Sequence, residues 1–103
     1  MHKEVKTETE LSAAVASGMV LVDFWAAWCG PCRMMGQVIE RELMPAMPEL
    51  DVVKINVDEA PELAAKFGVM SIPALFCFKD GKKTAEFTGV TSVADIRAAF
   101  RGN

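Results

Sequence analysis

Apolar runs alternate along the chain with segments in which apolar residues recur every three or four positions. The two longest runs, at 19–26 and 52–57, are typical of strands buried on both faces of a sheet. Apolar residues have the spacing of a helix in four segments: 8–17, about 30 to 47, Pro61 to Gly68, and Ser92 to about Phe100. Residues 74–79 and 83–88 flank Asp80-Gly81, a favoured turn pair, and therefore predict a hairpin.

With a short first strand near Val5, the predicted element order is β-α-β-α-β-α-β-β-α. Thr7 and Glu10 have the spacing of a capping box before the first helix, and Gly18 suits its end. The early strand-helix-strand units imply parallel pairing, whereas the late hairpin implies antiparallel pairing. The sequence therefore predicts an α/β fold with a central mixed β-sheet and helices packed on both faces.

Length and composition restrict the possible classes of protein. The 103 residues suffice for one domain, spanning 1–103, and 51% of them are hydrophobic, which excludes general disorder. The net charge is −3 and no basic run occurs, so we expect no nucleic-acid partner. The longest nearly uncharged apolar stretch is about ten residues, half of what a membrane-spanning helix needs. Residues 3–10 mix acids and bases unlike a secretory signal, so we expect a cytoplasmic protein.

Two of the three cysteines, Cys29 and Cys32, are spaced as Cys-x-x-Cys where a buried strand passes into a helix. Free N–H groups and the partial positive charge of a helix N-terminus favour a thiolate there. We expect Cys29 to be the nucleophile and the more exposed sulfur, and Cys32, one turn later, to close a short disulfide ring. Gly30 gives the loop room to turn and Pro31 stiffens it. Such a pair can exchange disulfides with a substrate protein.

Asp23 and Lys54 each interrupt an apolar strand. Burial would raise the pKa of Asp23 and suit it to proton transfer with Cys32. The alternatives are a buried acid satisfied by backbone or water, or a pair between Asp23 and Lys54.

A Cys-x-x-Cys pair is also half of a zinc site. The other candidate ligands of that type are Cys77, inside a hydrophobic strand, and His2, near the start of the chain. Because no second close-spaced pair exists, we expect no metal, and Cys77 is interpreted as a small core residue.

The chain resembles the thioredoxin family over nearly its whole length. The motifs that carry the resemblance are Val22-Asp23-Phe24-Trp25-Ala26, Trp28-Cys29-Gly30-Pro31-Cys32, Lys54-Ile55-Asn56-Val57-Asp58, Phe67-Gly68-Val69, Ser71-Ile72-Pro73, Phe78-Lys79-Asp80-Gly81 and Gly89. A bare Cys-x-x-Cys would be weak evidence, but this set in this order is highly specific. The implied architecture is the thioredoxin fold.

The resemblance implies a role for each matching residue. Cys29 would attack and Cys32 resolve, Asp23 would be the family's buried acid, and Lys54 the lysine near it. Pro73 would be the cis-proline that faces the dithiol, and Ile72 would offer backbone groups to an extended substrate segment. A flat apolar docking surface would come from Trp28, Gly68-Val69 and Gly89-Val90.

The implied activity is protein-disulfide reduction without a bound cofactor, through a redox-active Cys29–Cys32 disulfide. The partners would be disulfide-containing substrate proteins and a thioredoxin reductase, an NADPH-dependent flavoprotein, and the chain would act as a monomer. Two alternatives remain open: a binding or assembly module in which the sulfurs are dispensable, and an oxidase or isomerase. The chain departs from the family at Arg33, at Met70 and Ala74 beside the proline, and at Gln37, which predicts a straighter helix.

Overall fold

The computed structural model describes residues 2–101, which contain one five-stranded sheet in the spatial order β1-β3-β2-β4-β5. Strands β1, β3 and β2 pair in parallel, and β2, β4 and β5 pair antiparallel. The elements are β1 His2–Glu4, α1 Glu8–Val15, β2 Met19–Trp25, α2 Gly30–Val38, a π-helical segment Ile39–Leu43, α3 Met44–Ala46, β3 Asp51–Asn56, α4 Pro61–Lys66, β4 Ala74–Lys79, β5 Lys82–Thr88 and α5 Val93–Arg101. The predicted mixed sheet is confirmed.

Two hydrophobic clusters cover the two faces of the sheet. Along β2, Val22 and Phe24 point into the cluster that includes Leu11 of α1 and Leu63 of α4. Leu21, which alternates with them, points into the cluster that contains Met35 of α2 and residues of α5. The prediction of helices on both faces is therefore confirmed.

Two local signals in the sequence occur in the structure where they were predicted. Thr7 Oγ1 accepts the Glu10 N–H at 3.1 Å, and the Glu10 carboxylate accepts the Thr7 N–H at 3.1 Å, which completes the predicted capping box. Asp80 and Gly81 have φ values of +50° and +86°, as a tight hairpin turn requires. Helix α1 ends at Val15, two residues earlier than predicted.

The helix predicted from about 30 to 47 is not one regular α-helix. It passes into the π-helical segment Ile39–Leu43, which ends with the Met44 N–H donating to the Ile39 carbonyl. Pro45 follows at once. Its missing N–H and its ring would both disturb an α-helical bond to the carbonyl of Arg41, and the wider turn avoids that conflict. Gln37 itself lies within the regular helix α2, and the irregular segment begins two residues later, at Ile39.

Candidate active site

The cysteine pair lies where β2 is followed by α2. Cys29 is the N-cap of α2, and its Sγ accepts the Cys32 N–H at 3.1 Å. Pro31 occupies the first turn, where no intrahelical donor is needed. The two sulfurs form a disulfide, with their Cα atoms 5.2 Å apart. The chain thus holds a disulfide-capable pair at a helix N-terminus, as the spacing predicted.

Cys29 was expected to be the more exposed cysteine, and in the structure the difference has that direction but is very small. Cys29 is 5% exposed and Cys32 is 4% exposed, so the two are nearly equal. Both pack with Ala26 in a small apolar cluster, and the Cys29 N–H donates to the Ala26 carbonyl at 3.2 Å. The two cysteines differ in their relation to the surface: Cys29 lines a groove, whereas Cys32 is not among the residues that line it.

The groove beside Cys29 has a volume of about 610 Å³ and an apolar wall. Cys29 Sγ lies 3.8 Å from the carbonyl oxygen of Ile72, which also lines the groove. The Ile72–Pro73 bond is cis, as the resemblance implied for Pro73. The lining residues are Trp28, Cys29, Gly30, Pro31, Val57, Ala64, Val69, Met70, Ser71 and Ile72.

Three residues predicted for the docking surface lie beyond that groove. Gly68 ends α4 with a φ of +68°, a conformation that glycine adopts without strain. Gly89 donates its N–H to the Pro73 carbonyl at 2.8 Å, so the loop after β5 contacts the cis-proline segment. Val90, next to Gly89, is half-exposed. None of these three positions is among the residues that line the groove.

Trp28 is the most exposed aromatic side chain of the site, at 69%. Its Nε1 donates to Asp58 Oδ2 at 2.8 Å, and the Asp58 N–H donates to Asn56 Oδ1 at 2.9 Å. The indole is thus held beside the groove by a hydrogen bond to the segment after β3. Sequence reasoning gave Asp58 no role, although it ends the Lys54–Asp58 motif.

Asp23 is fully buried on the sheet face covered by α2. Among residues 2–101 neither carboxyl oxygen has a hydrogen-bond partner. Burial raises the pKa of Asp23 to about 6; the positive charge of Lys54 lowers this pKa, and the negative charge of Glu4 raises it further. A carboxyl group with that pKa changes protonation state close to neutral pH.

Lys54 lies directly beside Asp23 in the register of β2 and β3. The predicted pairing is nevertheless not a hydrogen bond, because the Lys54 ammonium instead lies 4.6 Å from the centre of the Trp25 ring. Helix α2 passes close by: a Cβ on Gly36 would lie 3.9 Å from Lys54 Nζ. Lys54 therefore acts on Asp23 through its charge and not through direct contact.

The remaining cysteine is a core residue. Cys77 is fully buried in β4, and burial raises the pKa of its thiol to about 11. His2 lies exposed in β1, at the far edge of the sheet order. Within residues 2–101 no group of three or more potential ligands could hold a metal ion.

None of the helices in the described part of the chain is long and apolar enough to cross a membrane.

The comparisons with known proteins agree with this geometry. The family model named Thioredoxin matches residues 2–101. A thioredoxin of Staphylococcus aureus is 46% identical over 83 residues, covering 81% of this chain and 80% of that protein.

Two solved structures have the same architecture. A mutant thioredoxin from Halobacterium salinarum has a TM-score of 0.85 at 33% identity, covering 98% of this chain and 88% of that one. Mitochondrial thioredoxin 3 from Saccharomyces cerevisiae, in its oxidised form, has a TM-score of 0.86 at 27% identity, covering 98% of this chain and 94% of that one. With its disulfide-forming cysteine pair, the chain belongs to the thioredoxin family of protein-disulfide oxidoreductases.

Proposed function

We propose that this chain reduces disulfide bonds in other proteins, with Cys29 as the attacking and Cys32 as the resolving cysteine. The observation that carries the assignment is the position of the pair: both sulfurs lie at the N-terminus of α2, and Cys29 borders the groove. A substrate disulfide that enters the groove therefore meets Cys29 first. The helix N-terminus stabilises the thiolate that attacks it.

The exchange runs in two steps. The Cys29 thiolate attacks one substrate sulfur, a mixed disulfide forms, and the other substrate sulfur leaves as a thiolate and takes up a proton. The Cys32 thiolate then attacks Cys29 Sγ, which releases the second substrate thiol and leaves the Cys29–Cys32 disulfide. In total, two electrons and two protons pass to the substrate, and the pair ends as the Cys29–Cys32 disulfide seen in the structure.

Asp23 accepts the proton that Cys32 loses in the second step. Its carboxyl group is buried on the face under the helix that carries Cys32, and it lacks a hydrogen-bond partner among residues 2–101. A pKa of about 6 lets Asp23 take up and release a proton near neutral pH. Lys54 tunes that pKa through its positive charge.

The substrate segment docks in an extended conformation across the groove. The Ile72 carbonyl oxygen, 3.8 Å from Cys29 Sγ, offers a backbone acceptor beside the reacting sulfur. Trp28 and Val69 provide apolar contact within the groove. Gly68, Gly89 and Val90 extend that surface around it.

The oxidised pair must be reduced by another protein. The sequence has no glycine-rich nucleotide-binding loop of its own. Membership of the family implies that a separate reductase, an NADPH-dependent flavoprotein, supplies the electrons. In this proposal residues 1–103 act as one domain and as a monomer in the cytoplasm. The chain carries no bound cofactor besides its redox-active disulfide.

The test is reduction of insulin driven by dithiothreitol, with the wild type compared with Cys29→Ser and with the double variant Cys29→Ser/Cys32→Ser. We expect turnover by the wild type and none above the uncatalysed rate by either variant. Retained turnover in Cys29→Ser would remove that residue from the attacking role. A binding or assembly module would show no wild-type turnover, and its partner binding would survive the double substitution.

A further inference from the structure

Met35 lies in α2, three residues after Cys32, and is fully buried in the cluster between the sheet and α5. Its thioether makes a polar contact in this apolar place: the backbone N–H of Thr91 donates to Met35 Sδ at 3.2 Å. A thioether sulfur is a weak hydrogen-bond acceptor, but here it accepts the buried backbone N–H of Thr91. The contact connects the helix of the reactive pair to the loop between β5 and α5.

The same loop is connected to the cis-proline segment on its other side. The Thr91 hydroxyl donates to the Gly89 carbonyl at 3.0 Å, and the Gly89 N–H donates to the Pro73 carbonyl at 2.8 Å. Pro73 follows Ile72, whose carbonyl faces Cys29 Sγ. A continuous series of contacts thus runs from α2 through residues 89–91 to the backbone beside the reactive sulfur.

We propose that Met35 is a positioning residue for substrate docking. Its sulfur holds the 89–91 loop in place, and this loop in turn holds the cis-proline segment beside the groove. The proposal rests on the proposed function, because it assumes that this loop borders the docked substrate. Leucine at position 35 would fill nearly the same volume and leave the Thr91 N–H without an acceptor. The sulfur itself, rather than the bulk of the side chain, therefore carries the positioning role.

The test compares Met35→Leu with Met44→Leu. Met44 packs, partly buried, against the same hydrophobic cluster, so its variant controls for the loss of a thioether from the core. Three quantities are measured for each protein: the hydrogen–deuterium exchange rate of the Thr91 amide, and kcat and KM for insulin in the dithiothreitol-driven assay. The reduction of a small aromatic disulfide, which needs no docking loop, serves as the second substrate.

In Met35→Leu we expect faster exchange of the Thr91 amide and a KM for insulin raised about threefold to tenfold, the effect of losing one hydrogen bond. The kcat and the rate with the small disulfide should be unchanged, and Met44→Leu should match the wild type throughout. Unchanged exchange at Thr91 would overturn the sulfur contact. Faster exchange with an unchanged KM would overturn the positioning role. If the wild type reduces neither substrate, the proposed function fails, whereas the exchange data still report on the contact.

Discussion

The ammonium group of Lys54 lies 4.6 Å from the centre of the Trp25 ring, although the strand register places Lys54 directly beside Asp23. The cation therefore contacts an aromatic face and leaves the neighbouring carboxyl group without a hydrogen bond. This arrangement keeps a positive charge near Asp23 while burial still dominates the pKa of the acid. The balance between these two effects determines how Asp23 behaves near neutral pH.

Replacing Lys54 with Met should raise the pKa of Asp23 further. The positive charge of Lys54 lowers that pKa, so without it only burial and Glu4 remain, and both raise it. The pH midpoint of insulin reduction should move upward, by on the order of one unit. The measurement is the rate of reduction as a function of pH. The control is Lys66→Met, which removes a lysine that forms a surface ion pair with Glu8.

The shift of the pH midpoint in Lys54→Met must also depend on the carboxyl group of Asp23. In an Asp23→Asn background, which we expect to be slow near neutral pH, Lys54→Met should leave the pH profile unchanged. A midpoint that does not move in Lys54→Met, or that moves equally with asparagine at position 23, would contradict electrostatic tuning of Asp23.

Asp23 should destabilise the folded protein at neutral and alkaline pH. Its pKa rises from 3.8 to about 6 on folding, so between these values the folded state holds a proton that the unfolded state has released. Stability therefore falls as pH rises through this window, and the full cost applies above it. A shift of this size corresponds to roughly 3 kcal/mol.

Asp23→Asn removes the ionisation and should raise the free energy of unfolding by roughly 2–3 kcal/mol above about pH 7. Near pH 3.5 the two proteins should be almost equally stable, because Asp23 is then largely protonated in both the folded and the unfolded state. Urea unfolding at both pH values measures the difference. A gain in stability that is the same at both would point to better packing and not to relief of a buried charge.

Cys32→Ser should trap substrates covalently. Cys29 can still form the mixed disulfide, but no thiol is left to attack Cys29 Sγ and release the substrate. The reduced variant is incubated with insulin, and non-reducing electrophoresis should show a covalent conjugate of the two proteins. Dithiothreitol should cleave this conjugate by reducing the mixed disulfide. The control is Cys29→Ser, which should form none, and equal trapping by both variants would contradict the assigned order of attack.

Cys77 should be inert in the folded protein. It is fully buried in β4 and burial raises the pKa of its thiol to about 11, so little thiolate exists near pH 8. Mass spectrometry after iodoacetamide treatment of the reduced native protein should find Cys29 modified and Cys77 unmodified. In concentrated guanidinium all three cysteines should react. Rapid native labelling of Cys77 would show that β4 opens far more readily than its burial implies.

The sequence predicted β2 to β5 well because their apolar runs and turn residues are local signals. The first strand was expected around Val5 but is His2–Glu4, an exposed segment without an apolar run that ends before Val5. Strand β2 occurs where the run at 19–26 placed it, and the turn at Asp80-Gly81 joins β4 to β5. The π-helical segment after Val38 was not predicted, because it depends on how Pro45 is accommodated one turn later. No spacing of apolar residues distinguishes that outcome from a regular helix.

The candidate site was predictable in its residues but not in its contacts. The spacing of Cys29 and Cys32 predicted their disulfide, and the apolar run around Asp23 predicted a buried acid. The direction of the Lys54 side chain, however, depends on the ring two positions after Asp23. The similar burial of the two cysteines also could not be read from their order along the chain. Both properties arise from packing between elements that are distant in sequence.

The midpoint potential of the Cys29–Cys32 couple tests the central claim most directly. Equilibration with dithiothreitol buffers, followed by thiol trapping and mass spectrometry, gives its value. We expect one two-electron transition at about −270 mV, the value typical of thioredoxins in general. A potential of about −120 mV, typical of a strong thiol oxidant, or the absence of any reversible couple, would contradict the assignment as a reductase.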